Sequence, residues 1–250
     1  MLASLIRFLP LVVVAYLAMS APVSAQQSPA LTPAQADAVR ALVRDYILQN
    51  PEIISEAVRL LQEREQAQTA QKQRQAFTAL KGDIFHDPSA PILGNPKGDV
   101  TIVEFFDYRC GYCKQVAPTI AKLLEEDRNI RLVVKEFPIL GPESVVAARA
   151  ALAAVRQNKY GSLHWALLNA KGQLDEAQVM RIAGQVGLDT KQLRQDMAAP
   201  EIEAIIKRSY GLAEALQIRG TPAFIVGEEL VPGAVDLPAL KALVAKARKG

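Results

Sequence analysis

The sequence is poor in metal-binding side chains. It holds two cysteines and two histidines in 250 residues. A structural zinc takes about four ligands. Cys110 and Cys113 supply two, and His86 and His164 lie far apart with no partner at ligand spacing. Met180 and Met197 read as helix packing, because no methionine–histidine cluster accompanies them. No metal and no cofactor is expected. Excess charge of one sign is also scarce: 29 basic residues face 26 acidic ones, a formal charge of +3. No basic stripe marks a nucleic-acid surface, so no nucleic acid is expected as a partner.

Long apolar runs are nearly absent too. The one present, Leu11 to Met19, falls well short of the ~20 residues that span a bilayer. Arg7 precedes it and Val23-Ser24-Ala25 follows, so residues 1–25 read as a cleaved secretory signal peptide. An uncleaved anchor is the competing reading. Losing Arg7 takes the charge from +3 to +2. Export leads to an oxidising compartment, where a lone dithiol can cycle as a disulfide.

What is present is concentrated in one stretch. Val100 to Phe106 is β-branched and aromatic. It runs through Asp107-Tyr108-Arg109 into Cys110-Gly111-Tyr112-Cys113, and an amphipathic helical pattern follows from Lys114 to about Glu126. Two thiols at this spacing at a helix start can close a small disulfide ring. Free backbone N–H groups and the helix dipole stabilise a thiolate on the first of them. A stabilised thiolate favours the reduced form, so the disulfide becomes a stronger oxidant. A passive structural disulfide is the blander reading, but so short a loop stabilises little. The redox-active reading is preferred.

Phe105-Phe106-Asp107-Tyr108-Arg109-Cys110-Gly111-Tyr112-Cys113-Lys114 resembles the active-site segment of DsbA-like thiol:disulfide interchange proteins of the thioredoxin superfamily. Gly220-Thr221-Pro222-Ala223-Phe224 resembles the loop that faces that site. The likeness covers about Ile92 to Lys249. It implies a thioredoxin fold with Cys110 as nucleophile and Cys113 as the resolving thiol. It also implies a cis bond at Pro222, with the backbone of Thr221 beside a bound substrate strand. Gly111 and Tyr112, between the sulfurs, would tune the thiolate. The pair resembles the dipeptide of the periplasmic disulfide isomerase and not the usual Pro-His of the oxidase. A less extreme oxidant is therefore expected. Glu104 resembles the family's buried acid that assists proton transfer to Cys113. By alternation it shares a face with Ile102 and Phe106, so burial is expected to raise its pKa. Tyr108 and Tyr112 could line a peptide rim, whereas His164 and Trp165 read as packing.

Ahead of this domain, Thr32-Pro33 reads as a helix start. Val39, Leu42, Val43, Tyr46 and Ile47 share one helical face. Asn50-Pro51 reads as a break and a new cap, followed by a second apolar face from Ile53 to Leu61. Gln62 to Ala76 is polar with high helix propensity, a solvated helix or linker. Two short helices with bare apolar faces bury themselves poorly alone, so they either fold back onto the redox domain or pack with copies from other chains. The polar stretch after Leu61 argues for separation, and self-association through residues 32–61 is expected. The layout resembles the ScsC-like branch of the DsbA family.

Phe77 to Gly98 reads as a connector. Ile130 to Ile139 reads as a second strand, parallel to the first. Residues 142–216 carry a helical pattern, with Asp175 and Asp189 as N-caps. Ala223 to Val226 and Glu229 to Val231 form a hairpin through Gly227-Glu228, and Asp236 caps a last helix.

The expected architecture is α/β: a thioredoxin fold with a DsbA-like helical insertion, preceded by an α-helical segment. The expected division is a signal peptide at 1–25, an oligomerisation segment and linker at 26–76, and the DsbA-like domain at 77–250. The expected function is a periplasmic protein thiol:disulfide oxidoreductase, with isomerase favoured over oxidase. Its partners would be unfolded or misoxidised exported proteins and a membrane redox partner. The alternatives are a monomeric oxidase and a non-enzymatic chaperone or binding module.

Overall fold

A computed structural model describes residues 31–249. The signal-peptide reading lies outside them. Among the described residues no helix is long and apolar enough to cross a membrane. The chain divides into two compact units between Leu61 and Gln62.

In the first unit, α1 spans Pro33–Gln49. Thr32 caps it, and Gln35 returns the favour in a capping box, with Pro33 in the first turn. Asn50 departs from its expected part. Its side chain donates back to the Tyr46 carbonyl at 2.8 Å and closes α1 instead of opening the next helix. No residue of α1 is buried, and Leu42, Val43 and Tyr46 stand exposed. α2 spans Glu52–Ala79 and begins with Ile54, Val58, Leu60 and Leu61 exposed as well.

In the second unit α2 continues without a break through the polar stretch. The expected connector after it is more structured than the sequence suggests. It holds α3 (Lys81–Phe85) and the edge strand β1 (Ile92–Gly94). The anchor is Lys135. This strand lysine is 2% exposed, and its Nζ donates to Asp87 Oδ2 and to the Asp83 carbonyl, both at 2.9 Å. A buried cation must find such partners.

β2 (Val100–Phe106) leads into α4 (Gly111–Glu126), and β3 (Ile130–Glu136) returns parallel to β2. β3 stops three residues before its expected end. Pro138 has no N–H for a ladder, and the Leu140 N–H turns away to Asp107. Five helices follow: α5 (Pro142–Ala153), α6 (Tyr160–Asn169), α7 (Glu176–Gln185), α8 (Thr190–Asp196) and α9 (Pro200–Ala215). Asp175 and Asp189 cap α7 and α8. β4 (Ala223–Val226) and β5 (Glu229–Pro232) form the hairpin, and α10 (Leu237–Ala247) closes the chain, capped by Asp236.

The sheet order is β1-β3-β2-β4-β5, with only the β2–β3 pair parallel. Strand alternation gives it two buried faces. Ile102, Phe106, Leu132 and Val134 pack under α4, α10 and the helical insertion. Val103, Phe105, Val133 and Ile225 pack under α3 and the end of α9. This is the thioredoxin fold with a helical insertion, and the dithiol rises from its central strand.

Candidate functional site

The site is built at the C-terminal end of β2. Cys110 is the N-cap residue of α4, and Cys113 lies in the first turn. Both are free thiols. Cys110 is 6% exposed and Cys113 1%. The Cys110 thiol donates to the carbonyl oxygen of Thr221 at 3.2 Å. The Thr221–Pro222 peptide is cis. Tyr112 projects outward, 66% exposed. A Cβ on Gly111 would meet nothing within 4 Å, so the space over that turn is open.

The two thiols differ sharply. The adjacent Cys113 thiol, by hydrogen bonding, lowers the Cys110 pKa to about 5; Thr221 and the backbone N–H groups of Cys113 and Tyr112 add to this, against the opposing effect of burial. Cys110 stands at the N-cap without a side-chain cap hydrogen bond, so its sulfur lies at the end of the helix where the first-turn N–H groups are free. The same hydrogen bond, donated by Cys113 to the Cys110 sulfur, pushes the Cys113 thiol far up, and burial reinforces it.

Glu104 lies on the sheet face beneath, 1% exposed, as alternation predicts. Burial raises its pKa to about 8, and the charge on Cys110 adds to the effect.

Three further side chains complete the site, and none stood out in the sequence. Asp107 is buried between two loops. Its carboxylate accepts from the Arg109 N–H at 2.7 Å and the Leu140 N–H at 3.0 Å, and its carbonyl accepts from the Cys110 N–H at 3.1 Å. It fixes the loop that carries the first thiol to the turn after β3. Glu136 is the second. Its Oε1 accepts from the hydroxyls of Tyr108 at 3.0 Å and Tyr160 at 2.9 Å. Burial holds its carboxyl well above the ordinary range. The third is His164, expected only to pack. It does pack, stacked on Tyr160 with ring centroids 5.6 Å apart, but its Nδ1 also lies 3.1 Å from the Tyr108 hydroxyl. Burial lowers its pKa to about 3, so it stays neutral. Trp165 lies against the same core, and Met180 is buried within it. Among the described residues no group of three or more His, Cys, Asp or Glu side chains could hold a metal ion.

A dithiol with one stabilised thiolate and one deep thiol, beside a cis-proline loop on a thioredoxin sheet, is the arrangement that thiol–disulfide exchange needs. Residues 101–245 match the DSBA-like thioredoxin domain. The chain belongs to the DsbA-like thioredoxin family. Residues 35–68 match the N-terminal domain of the copper resistance protein ScsC. A thioredoxin-like oxidoreductase from Silicibacter pomeroyi is 52% identical, covers 68% of this chain and 98% of its own, and superposes with a TM-score of 0.67. Proteus mirabilis ScsC in a transitional conformation is 30% identical over 88% of this chain and 99% of its own, with a TM-score of 0.66. A periplasmic thioredoxin-like protein from Salmonella enterica serovar Typhimurium is 28% identical over 69% of this chain and 97% of its own, TM-score 0.62. Among curated proteins the first relatives are Na(+)/H(+) antiporters. The one from Salinispora arenicola is 32% identical over 167 residues, and this chain spans 26% of its length. The domain is thus of the thioredoxin-like oxidoreductase type, joined here to an ScsC-type N-terminal segment.

Proposed function

We propose that the protein exchanges disulfides with other proteins in the periplasm, and that it works chiefly as an isomerase assembled through residues 32–61. The observation that carries the chemistry is the asymmetry of the thiols: the Cys110 pKa lowered to about 5 and that of Cys113 far raised, with Cys110 against the Thr221 carbonyl.

The Cys110 thiolate attacks one sulfur of a client disulfide. The S–S bond breaks, a mixed disulfide forms, and the other client sulfur leaves as a thiolate. In isomerisation that thiolate attacks a second client disulfide. A client thiolate then displaces Cys110, so no net electrons move. In the escape route Cys113 loses its proton to Glu104 and attacks Cys110. The client leaves reduced, and the enzyme is left with a Cys110–Cys113 disulfide that a membrane redox partner must reduce. Glu104 suits this because burial sets its pKa near 8, within reach of either protonation state. Tyr112 and Gly111 border the approach, and the Thr221 backbone offers pairing to an extended client segment.

Two observations favour isomerase. The Cys110 pKa lies between about 3.5 for the strong oxidase DsbA and about 7 for thioredoxin. α1 and the start of α2 leave Leu42, Val43, Tyr46, Ile54, Val58, Leu60 and Leu61 exposed, apolar area that assembly with other copies of the chain would bury. Export is supported by the likeness to a periplasmic thioredoxin-like protein and by the sequence pattern of residues 1–25, which reads as a signal peptide.

The test is reactivation of a scrambled, fully oxidised ribonuclease by the mature protein, by Cys110→Ser and by a form beginning at Gln62. The reading predicts an assembly in solution that reactivates the substrate, no activity for Cys110→Ser, and a monomer with weak isomerase activity for the truncated form. A monomeric mature chain that oxidises reduced ribonuclease yet leaves scrambled ribonuclease untouched would make it an oxidase instead.

A further inference from the structure

Gln62, Gln66, Thr69 and Gln73 recur at spacings of four, three and four along α2, so they share one face. Together with Glu65, Ala70, Gln217 and Arg219 they line a cavity of about 720 Å³. A second cavity of about 490 Å³ shares Gln73, Gln217 and Arg219 with the first and continues to Gly220, Thr221 and Pro222. The two form one groove that starts at the loop touching Cys110 and runs out along α2.

The groove is held in shape. The Gln73 side chain donates to the Leu216 carbonyl at 2.7 Å and ties α2 to the end of α9. Gln217 has φ of 57°, the left-handed turn that ends α9, and the Ile218 N–H closes on the Ala213 carbonyl at 2.7 Å. Its side chain accepts from Arg219 at 3.4 Å. Among the described residues Arg219 has no carboxylate at ion-pair distance.

The lining chemistry is specific. A glutamine carboxamide offers both donors and an acceptor. A row of them matches the N–H and C=O groups of an extended chain and disregards its side chains. An enzyme that must accept many unfolded sequences needs that kind of recognition. The Arg219 guanidinium, which also donates to Gln217, adds N–H donors for client carbonyl groups, and Glu65 adds an acceptor on the same lining.

We propose that this groove holds an extended segment of the client polypeptide adjoining the cysteine that reacts with Cys110. The proposal rests on the thiol-exchange reading above and extends its substrate site. The eleven helical steps from Gln62 to Gln73 measure about 16 Å at ~1.5 Å per residue. At ~3.3 Å per extended residue the stripe accommodates about five client residues beyond those at Thr221.

The experiment uses reduced mature protein and two peptides. Each carries a single cysteine activated as a mixed disulfide with an aryl thiol. One has two residues on either side of the cysteine, the other ten. Attack by Cys110 forms the protein–peptide disulfide and releases the aryl thiolate, whose absorbance gives the rate. Rates are divided by the rate with a small symmetric aryl disulfide. The long peptide should react about tenfold faster, the gain of one or two net hydrogen bonds. In Gln62→Ala/Gln66→Ala/Arg219→Ala the advantage should shrink to within about twofold. Gln66→Trp, which fills the groove, should do the same. No length advantage in the wild type, or an advantage that survives in both variants, overturns the proposal while leaving thiol exchange standing. If the small disulfide also fails to react, the exchange reading falls and this proposal falls with it.

Discussion

The Cys110 sulfur lies 3.2 Å from the carbonyl oxygen of Thr221, the residue before the cis-proline. The two residues are 111 positions apart in sequence. Their contact puts the stabilised thiol against the cis-proline loop.

The first prediction concerns Cys110 itself. Its pKa falls from an ordinary 9.0 to about 5. A depressed thiol pKa stabilises the reduced fold in full above the unfolded value, and that stabilisation is lost as pH falls through the folded value. Relative to the oxidised form, the reduced form should gain stability from pH 5 to pH 8. Iodoacetamide labelling of the native reduced protein, followed by mass spectrometry, should be half-maximal near pH 5 and confined to Cys110. A midpoint near 9 would refute the assignment.

Glu104 predicts the opposite trend. Its pKa rises from 4.5 to about 8. The relative stability it contributes is fully present below the unfolded pKa of 4.5 and is lost as pH rises towards 8. Reduced Glu104→Gln should match the wild type near pH 5 and exceed it by roughly 2–4 kcal/mol at pH 8, at about 1.4 kcal/mol per unit of pKa. Urea unfolding across this range decides the matter. Parallel profiles would mean that Glu104 is not held neutral by burial.

Glu136 gives a third. Two phenol hydroxyls donate to one of its oxygens. Glu136→Leu strands the Tyr160 hydroxyl and takes one of two partners from Tyr108, which keeps His164 Nδ1. At about 1–3 kcal/mol for the stranded group and about 1 kcal/mol for the lost bond, the domain should lose roughly 2–4 kcal/mol. Tyr160→Phe removes one donor and leaves the other paired, and should cost about 1 kcal/mol. Denaturant midpoints compare the two. Equal costs would show that the carboxyl is not the hub.

Asp107 gives the fourth. Asp107→Ala frees the Arg109 and Leu140 N–H groups and loosens the loop that carries Cys110. The Cys110 labelling midpoint should move upward by about one unit, worth about 1.4 kcal/mol. An unchanged midpoint would confine Asp107 to a role in stability.

Much of this site is legible in the sequence because its signals are local. The β-branched run before Cys110, the helical period after it and the alternation that buries Glu104 depend on near neighbours. So do the caps at Thr32, Asp175, Asp189 and Asp236, each of which bonds within its own first turn. What stayed hidden depends on distance. Nothing near Lys135 and Glu136 in sequence shows that both are buried, the glutamate by tyrosines from two other segments and the lysine by Asp87. Asp107 meets Leu140 across 33 positions. β1 is three residues long and exists only because β3 offers an edge. The glutamines of α2 read as a solvated surface, because nothing in a helical pattern shows that one face borders a groove.

The most direct test of the account is to trap the exchange intermediate. Reduced Cys113→Ser, which cannot resolve a mixed disulfide, is mixed with a scrambled client and quenched with acid. Peptide mapping should find the client joined to Cys110 through a disulfide, and Cys110→Ser should give no adduct. An adduct formed by Cys110→Ser through Cys113, or none formed by either variant, would contradict the assignment of Cys110 as the attacking thiol.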